Sequence, residues 1–389
     1  MVCREQKSHD ECIVVSLIDT VRVSGPARGL MQLARLLPER QVSIQFLTFS
    51  YPHLSFHDFS RVMREYGGSV TVIPQRFRFD PLLLRCVREV IKDVNPHIIQ
   101  THSFKMHFIV WLLRISRLLP KIRGKSFPKW IIMEHGFTSE TKRVIVYNFL
   151  TRVLAVLSDK LILVSETQKK YFPYSTNSVV IPNAVDKSGV PVGLSKDDLR
   201  SQLGISSDDI VVIVVGRLSA EKGQGLVLEA LNEIAIRNRA ILRGLRVLII
   251  GEGPDKQILT SKIQKFALND IVTMLPFSPE IGSFYEVCDF LWLPSISEGL
   301  PNVVLEAAAF GKASLAASVG SVPQVVIDGE TGLLFPPGDV SEMANKLEQL
   351  LMQKDLFEKF GNAARILVET SFSPFHRADT FKKVYQALI

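Results

Sequence analysis

The chain is punctuated by short, mostly apolar runs, each followed by a glycine-rich or polar turn and then a helical pattern. Cys12-Ile-Val-Val-Ser-Leu-Ile18 and Asp209-Ile-Val-Val-Ile-Val-Val215 are the clearest of them. Runs of this length without alternation suit strands covered on both faces, because a half-exposed strand would alternate apolar with polar residues. After the first run come Val42–Phe49 as strand, Asp58–Tyr66 as helix, Val70–Ile73 as strand and Pro81–Val94 as helix. His97–His102, a helix over Met106–Leu119 and a strand over Trp130–Met133 follow. Strands recurring with helices between them predict a parallel, right-handed, doubly wound sheet. The pattern restarts at Asp209, so the expected class is α/β with two Rossmann-like domains.

Length agrees, since 389 residues exceed one typical core. The boundaries read as residues 1–187 for the first domain, 188–208 for a linker rich in Ser, Gly and Asp, 209–370 for the second domain, and 371–389 for a final helix. Cys3, Cys12, Cys86 and Cys288 are scattered without metal spacing, which predicts free thiols in a reducing compartment. The polar N-terminus has no apolar core, so no secretory leader is expected. The apolar run Phe108–Leu113 is cut by Arg114 and Arg117, too short to cross a bilayer.

The chemistry gathers at Ser295-Ile-Ser-Glu-Gly-Leu-Pro-Asn-Val-Val-Leu-Glu-Ala-Ala-Ala-Phe-Gly311. It follows the strand-like run Asp289–Leu293 and reads as a polar loop entering a helix. Pro301 suits a first helical position, where its missing N–H costs nothing. The N–H groups of Asn302 and Val303 would then lie at the positive end of the helix dipole, a ready anion site. Glu298 and Gly299 sit in the loop before Leu300, and Glu306 lies one turn below Asn302 on the same face. One carboxylate at the mouth of an anion site and another a turn below match a sugar nucleotide, whose diphosphate is flanked by a hexose and a ribose. A second anion site is expected at Gly216-Arg217-Leu-Ser-Ala-Glu-Lys222-Gly223. There two cations on a glycine-bearing strand-to-helix loop can both turn to one diphosphate.

The spacing of Glu298 and Glu306 within EGLPNVVLEAAAFGK resembles the signature of the retaining GT-B glycosyltransferases of family 4, and Gly216–Gly223 is similar to the same family's G-R-L-x-x-x-K-G. Glu134-His135-Gly136 looks like its strand–His–Gly element, and Val179-Val-Ile-Pro-Asn-Ala-Val-Asp186 its junction between domains. The likeness is dense over residues 209–340 and thin over 1–190. It implies a GT-B fold: two domains facing across a cleft, with the terminal helix crossing back to the first. It also implies transfer from a nucleoside diphosphate sugar to a hydroxyl with retention. Arg217, Lys222 and the helix start would then stabilise the leaving diphosphate, Glu298 would hold sugar hydroxyls, Glu306 the ribose diol, and His135 the donor sugar. Gly216, Gly299, Leu300, Pro301, Asn302 and Val303 complete the expected donor site. Gly25, in Ser24-Gly25-Pro26 where the family carries paired glycines, either faces the phosphates or only turns the chain. His102 is a second histidine candidate. Gln324 replaces the acid of the family's G-G-x-P-E, so that role does not carry over.

No Asp-x-Asp occurs, so no essential metal and no further cofactor is expected. An epimerase or hydrolase acting on nucleotide sugars, and a non-catalytic GT-B protein binding membrane or partners, are the rival readings. Charge bears on location. Residues 1–190 carry 27 Lys and Arg against 15 Asp and Glu, leaving 19 against 24 of the chain's 46 and 39; the halves are +12 and −5. Lys105–Lys129 joins an apolar helix to Arg114, Arg117, Lys121, Arg123, Lys125 and Lys129. That composition predicts a cytoplasmic protein, peripheral on the inner face of an anionic membrane. A lipid-linked or glycan acceptor in surface-glycan synthesis is expected there, and nucleic acid is not.

Overall fold

The computed structural model describes residues 11–21, 23, 25–51, 57–77, 80–121, 126–135 and 142–389. The chain forms two units: one runs to Asn183 and resumes at Pro374–Ile389, the other is Ala184–Ser373.

The first unit holds β1 (Cys12–Leu17), β2 (Val42–Ser50), β3 (Ser69–Pro74), β4 (Ile98–Thr101), β5 (Lys129–Glu134), β6 (Lys160–Leu163) and β7 (Ser178–Val180). Between them run α1 (Gly25–Leu36), α2 (Asp58–Glu65), α3 (Leu82–Val94), α4 (Phe104–Ile115) and α5 (Lys142–Leu157). The sheet order is β3-β2-β1-β4-β5-β6-β7, every pair parallel. Successive residues of β1 feed opposite layers, as the pleat requires. Val14 packs with Leu30, Phe46 and Phe59, whereas Val15 and Leu17 pack with Phe49, Val87, Val110 and Trp130. Each such fully buried side chain contributes about 1.5–3 kcal/mol.

The second unit repeats the plan with β8 (Ile210–Val215), β9 (Leu245–Ile250), β10 (Val272–Leu275), β11 (Phe290–Leu293), β12 (Ala313–Ala317) and β13 (Gly332–Phe335). Its helices are α6 (Lys196–Gln202), α7 (Gln224–Asn238), α8 (Lys256–Lys265), α9 (Ile281–Val287), α10 (Asn302–Ala309), α11 (Val340–Met352) and α12 (Asp355–Ser371). The order is β10-β9-β8-β11-β12-β13, again all parallel. The final helix, α13 (Pro374–Gln386), belongs to the first unit, where Ala378, Phe381 and Tyr385 sit in the core with Val14 and Leu30. In each sheet the winding reverses once, between β1 and β4 and between β8 and β11. Loops leaving such strands open onto the crevice where doubly wound folds take ligands.

Several expectations shift. Residues 188–208 are part of the second unit: Ser195 caps α6, Val190 and Leu199 join the core, and Gly282 N–H donates to Pro191 at 2.8 Å. Gly25 opens α1, and Ser24 lies outside the described residues. The helical part of the expected interfacial segment turns largely inward, while Ile115, Leu118 and Phe127 further along it are exposed. Met106, Ile109, Val110 and Leu113 are buried, because α4 follows a central strand and its apolar residues are consumed by the sheet. Lys105 is only 4% exposed, 3.4 Å from Asp19 and 2.5 Å from the Gln75 side-chain oxygen, and Arg114 pairs with Asp159 at 2.9 Å. Arg123 and Lys125 lie outside the described residues. A larger set of exposed apolar side chains gathers on α5, at Ile145, Val146, Phe149, Val153, Val156 and Leu157.

Candidate active site

In the second unit the site is built by backbones pressed together. Gly223 (φ 71°) ends the loop after β8, and a Cβ there would fall 2.2 Å from the Pro294 carbonyl oxygen in the loop after β11. That closeness brings the two loops' side chains into contact. Lys222 Nζ donates to Glu298 Oε1 at 2.6 Å, and Ser295 Oγ donates to the same oxygen at 2.8 Å. Ile296 N–H donates to Glu221 at 2.9 Å. Behind Glu298, Gly320 (φ 56°) would place a Cβ 2.1 Å from the Glu298 carbonyl, and Ser321 N–H donates to Gly299 at 2.7 Å. Glu298 is therefore held in one place by its neighbours, and Lys222 with it. Gly216 directly follows β8, and Arg217 stands exposed next to it, its carbonyl accepting from Gln224 Nε2 at 2.9 Å.

Pro301 is the residue before α10, with extended backbone (φ −73°, ψ 128°), so the helix begins at Asn302, one residue later than expected. Asn302 and Val303 still form its first turn, where N–H groups have no acceptor within the helix. Leu300 is buried and anchors the turn. One turn on, Glu306 is 3% exposed, and Tyr285 of α9 donates to its Oε2 at 2.9 Å. A carboxylate buried this deeply needs such donors to offset the hydration it has lost. A cation, a helix start and two carboxylates thus converge where the strand order reverses.

The first unit contributes a different kind of site. His135 directly follows β5 and His102 follows β4; their rings stack 5.2 Å apart, with His102 Nδ1 2.9 Å from His135 Nε2. His102 Nε2 lies 2.9 Å from Ser16 Oγ and 3.1 Å from Gln100 Nε2, and Tyr385 of α13 donates to Gln100 Oε1 at 2.8 Å. Burial drives both histidines toward neutrality, reinforced by Arg377 and His107; His135 falls to about 3 and His102 well below its ordinary range. His107 is spoken for by Thr101 and Glu134, at 2.7 and 2.9 Å. His135 Nδ1 is buried and meets no hydrogen-bond partner. Leaving such a group unpaired costs about 1–3 kcal/mol, which a ligand oxygen could recover. Gly136 lies outside the described residues.

Sequence reasoning missed Ser295, Gln224, Gly320, Tyr285, Gln100 and Tyr385. Ser295, three positions before Glu298, was visible in principle. Tyr285 and Tyr385 carry no local signal, because only packing brings them to Glu306 and Gln100.

Two parallel Rossmann-like units, the second with a cation and carboxylates at its switch point and a helix handed back to the first, define the GT-B class. Residues 195–367 match the family model described as Glycosyl transferases group 1, and residues 23–188 that of Glycosyltransferase Family 4. The chain belongs to the GT-B glycosyltransferases of group 1. It is 33% identical over 193 residues to the D-inositol 3-phosphate glycosyltransferase of Gordonia bronchialis, covering 48% of this chain and 42% of that one. The chain spans about half the length of several curated relatives it matches. It is 24% identical over 366 residues to the N-acetyl-alpha-D-glucosaminyl L-malate synthase of Bacillus anthracis, covering 91% of each. The fold is that of Anabaena HepE, whose crystal structure in complex with UDP and glucose superposes with a TM-score of 0.80 at 19% identity, over 97% of this chain and 100% of that one.

Proposed function

We propose that the protein transfers a glycosyl group from a nucleoside diphosphate sugar to an acceptor hydroxyl, with retention and without an essential metal. The observation that carries the reading is the Lys222–Glu298 pair at 2.6 Å. A donor replaces it with two better-matched contacts: Lys222 turns to the diphosphate, and Glu298 to hydroxyls of the sugar. Arg217 and the first turn of α10 add donors aimed at the charge that grows on the leaving group, and Glu306 takes the ribose. These groups fill the part a metal plays elsewhere, so transfer should continue in a chelator. A panel of nucleotide sugars tests the reading first, since a ligand at 100 times its Kd stabilises by about 2.7 kcal/mol. NMR of the product's anomeric proton then reads retention. A panel in which no nucleotide sugar stabilises the protein or turns over refutes it.

For the acceptor, the relatives' names weigh toward small hydroxylated anions and against the lipid-linked surface glycan expected from sequence. The +12 of residues 1–190 suits an anion of either kind. A lipid-borne acceptor is favoured by one observation. α5 carries no acidic residue, and its exposed apolar side chains border a groove of about 530 Å³ lined with Arg152, Lys170, Tyr171 and Tyr174. Arg152 and Lys170 lie over the Tyr171 ring at 5.5 and 5.0 Å. Co-sedimentation with anionic but not neutral liposomes, lost in Phe149→Asp, supports the lipid reading. A protein that stays in the supernatant at low salt leaves the small acceptor.

A further inference from the structure

The first unit's polar network has a direction, and following it from its far end determines what His135 can do. Met133 Sδ lies 3.6 Å from Gln100 Nε2. A thioether only accepts, so it faces the amide nitrogen, while the Tyr385 hydroxyl donates to the amide oxygen at 2.8 Å. With its amide so oriented, Gln100 donates to His102 Nε2 at 3.1 Å, the Ser16 hydroxyl 2.9 Å away turns its own proton to the same nitrogen, and that nitrogen is an acceptor. A neutral imidazole carries one proton, so His102 bears it on Nδ1 and donates to His135 Nε2 at 2.9 Å. His135 then accepts on Nε2 and carries its own proton on Nδ1, the buried nitrogen that has no partner.

We propose that Tyr385, Gln100 and His102 are positioning residues that hold His135 in its Nδ1–H tautomer, so that it meets its ligand as a hydrogen-bond donor. The ligand this tautomer selects is an oxygen acceptor, a phosphate oxygen or a sugar hydroxyl; a group needing its proton removed finds no base here. The inference rests on the reading of His135 as a donor-sugar contact, but the tautomer stands or falls separately. Burial and the nearby Arg377 keep both rings uncharged, in keeping with a fixed tautomer. Two of the three links lie on β4 or just after it, and the third arrives on α13.

The experiment is a long-range 1H–15N correlation spectrum of the full chain labelled at histidine, without substrate, with the His135 ring identified by its loss in His135→Asn. The expected spectrum shows one neutral His135 tautomer with the proton on Nδ1; a proton on Nε2 overturns the proposal. Gln100→Glu replaces the amide donor by an acceptor, which calls for a proton on His102 Nε2 and reverses the relay. Its His135 proton should move to Nε2, and turnover should fall on the order of 100-fold, as when one preorganised donor is lost. A folded Gln100→Glu protein whose His135 keeps Nδ1–H refutes the relay. If that variant does not fold, Tyr385→Phe is read the same way. Loss of the hydroxyl should give mixed tautomers, and a single unchanged Nδ1–H form removes Tyr385 from the relay. Activity that survives His135→Asn overturns the donor-sugar role alone and leaves the tautomer to the spectrum.

Discussion

The two units solve the same problem, placing polar groups at the open end of a parallel sheet, by opposite means. The second unit uses charge: Lys222 against Glu298, Arg217 exposed nearby, and Glu306 buried under a tyrosine hydroxyl. The first uses neutrality, with two uncharged histidines threaded into a hydrogen-bond chain that runs back to α13. Charges bind and stabilise developing charge; a neutral network orients one group without adding repulsion. The charged unit is equipped to hold an anion firmly, and the neutral one to aim a single hydrogen bond.

The largest test of that contrast is loss of charge. Arg217→Ala and Lys222→Ala should each lower kcat/KM on the order of 100-fold with Tm nearly unchanged. Two near-wild-type single variants would break the assignment of the charged side.

The neutral side should show itself through pH. His135 falls to about 3 in the native state through burial, Arg377 and His107, whereas an unfolded histidine titrates near 6.5. Between those values the unfolded chain binds more protons, so stability is full above about pH 6.5 and drains away as pH falls toward 3. Tyr385, Gln100, Ser16 and the Glu134-paired His107 also face the pair. Urea melts at pH 7 and pH 5 should show the wild type losing about 2 kcal/mol more than His135→Asn. Equal losses would mean that His135 already titrates normally.

The smallest expected effect separates the two glutamates. Glu306→Gln should weaken binding of the free nucleoside diphosphate about tenfold, a loss of about 1.4 kcal/mol. Glu298→Gln should leave that affinity nearly intact and lower turnover. Calorimetry giving the reverse would exchange their roles.

The same contrast explains which parts of the molecule are legible in its sequence. Gly216–Gly223 and Glu298–Glu306 are local: loop, cation and helix start are neighbours along the chain, so spacing alone places them. The strand–helix alternation places the sheets for the same reason. The one-residue difference at Pro301 comes from its ψ of 128°, which proline's fixed φ does not determine. Lys105 reads as a surface cation because nothing local announces that Asp19 and Gln75 will enclose it. The relay to His135 is legible only at its histidine end. Its other members meet across 285 residues, between Gln100 and Tyr385.

That long closure also sets an order of events during synthesis. Phe381 and Tyr385 fill the first unit's core, yet all of Ala184–Ser373 is made between that unit's last strand and α13. At roughly 5–20 residues per second the ribosome spends on the order of 10–40 s on that interval. During it the first unit has every strand but an open apolar seat beside α1. The second unit, contiguous in sequence, can close its core before the first has all of its parts. The emerging chain therefore carries its older half unfinished, exposed to chaperones or to a neighbour's apolar surface, until its younger half is complete.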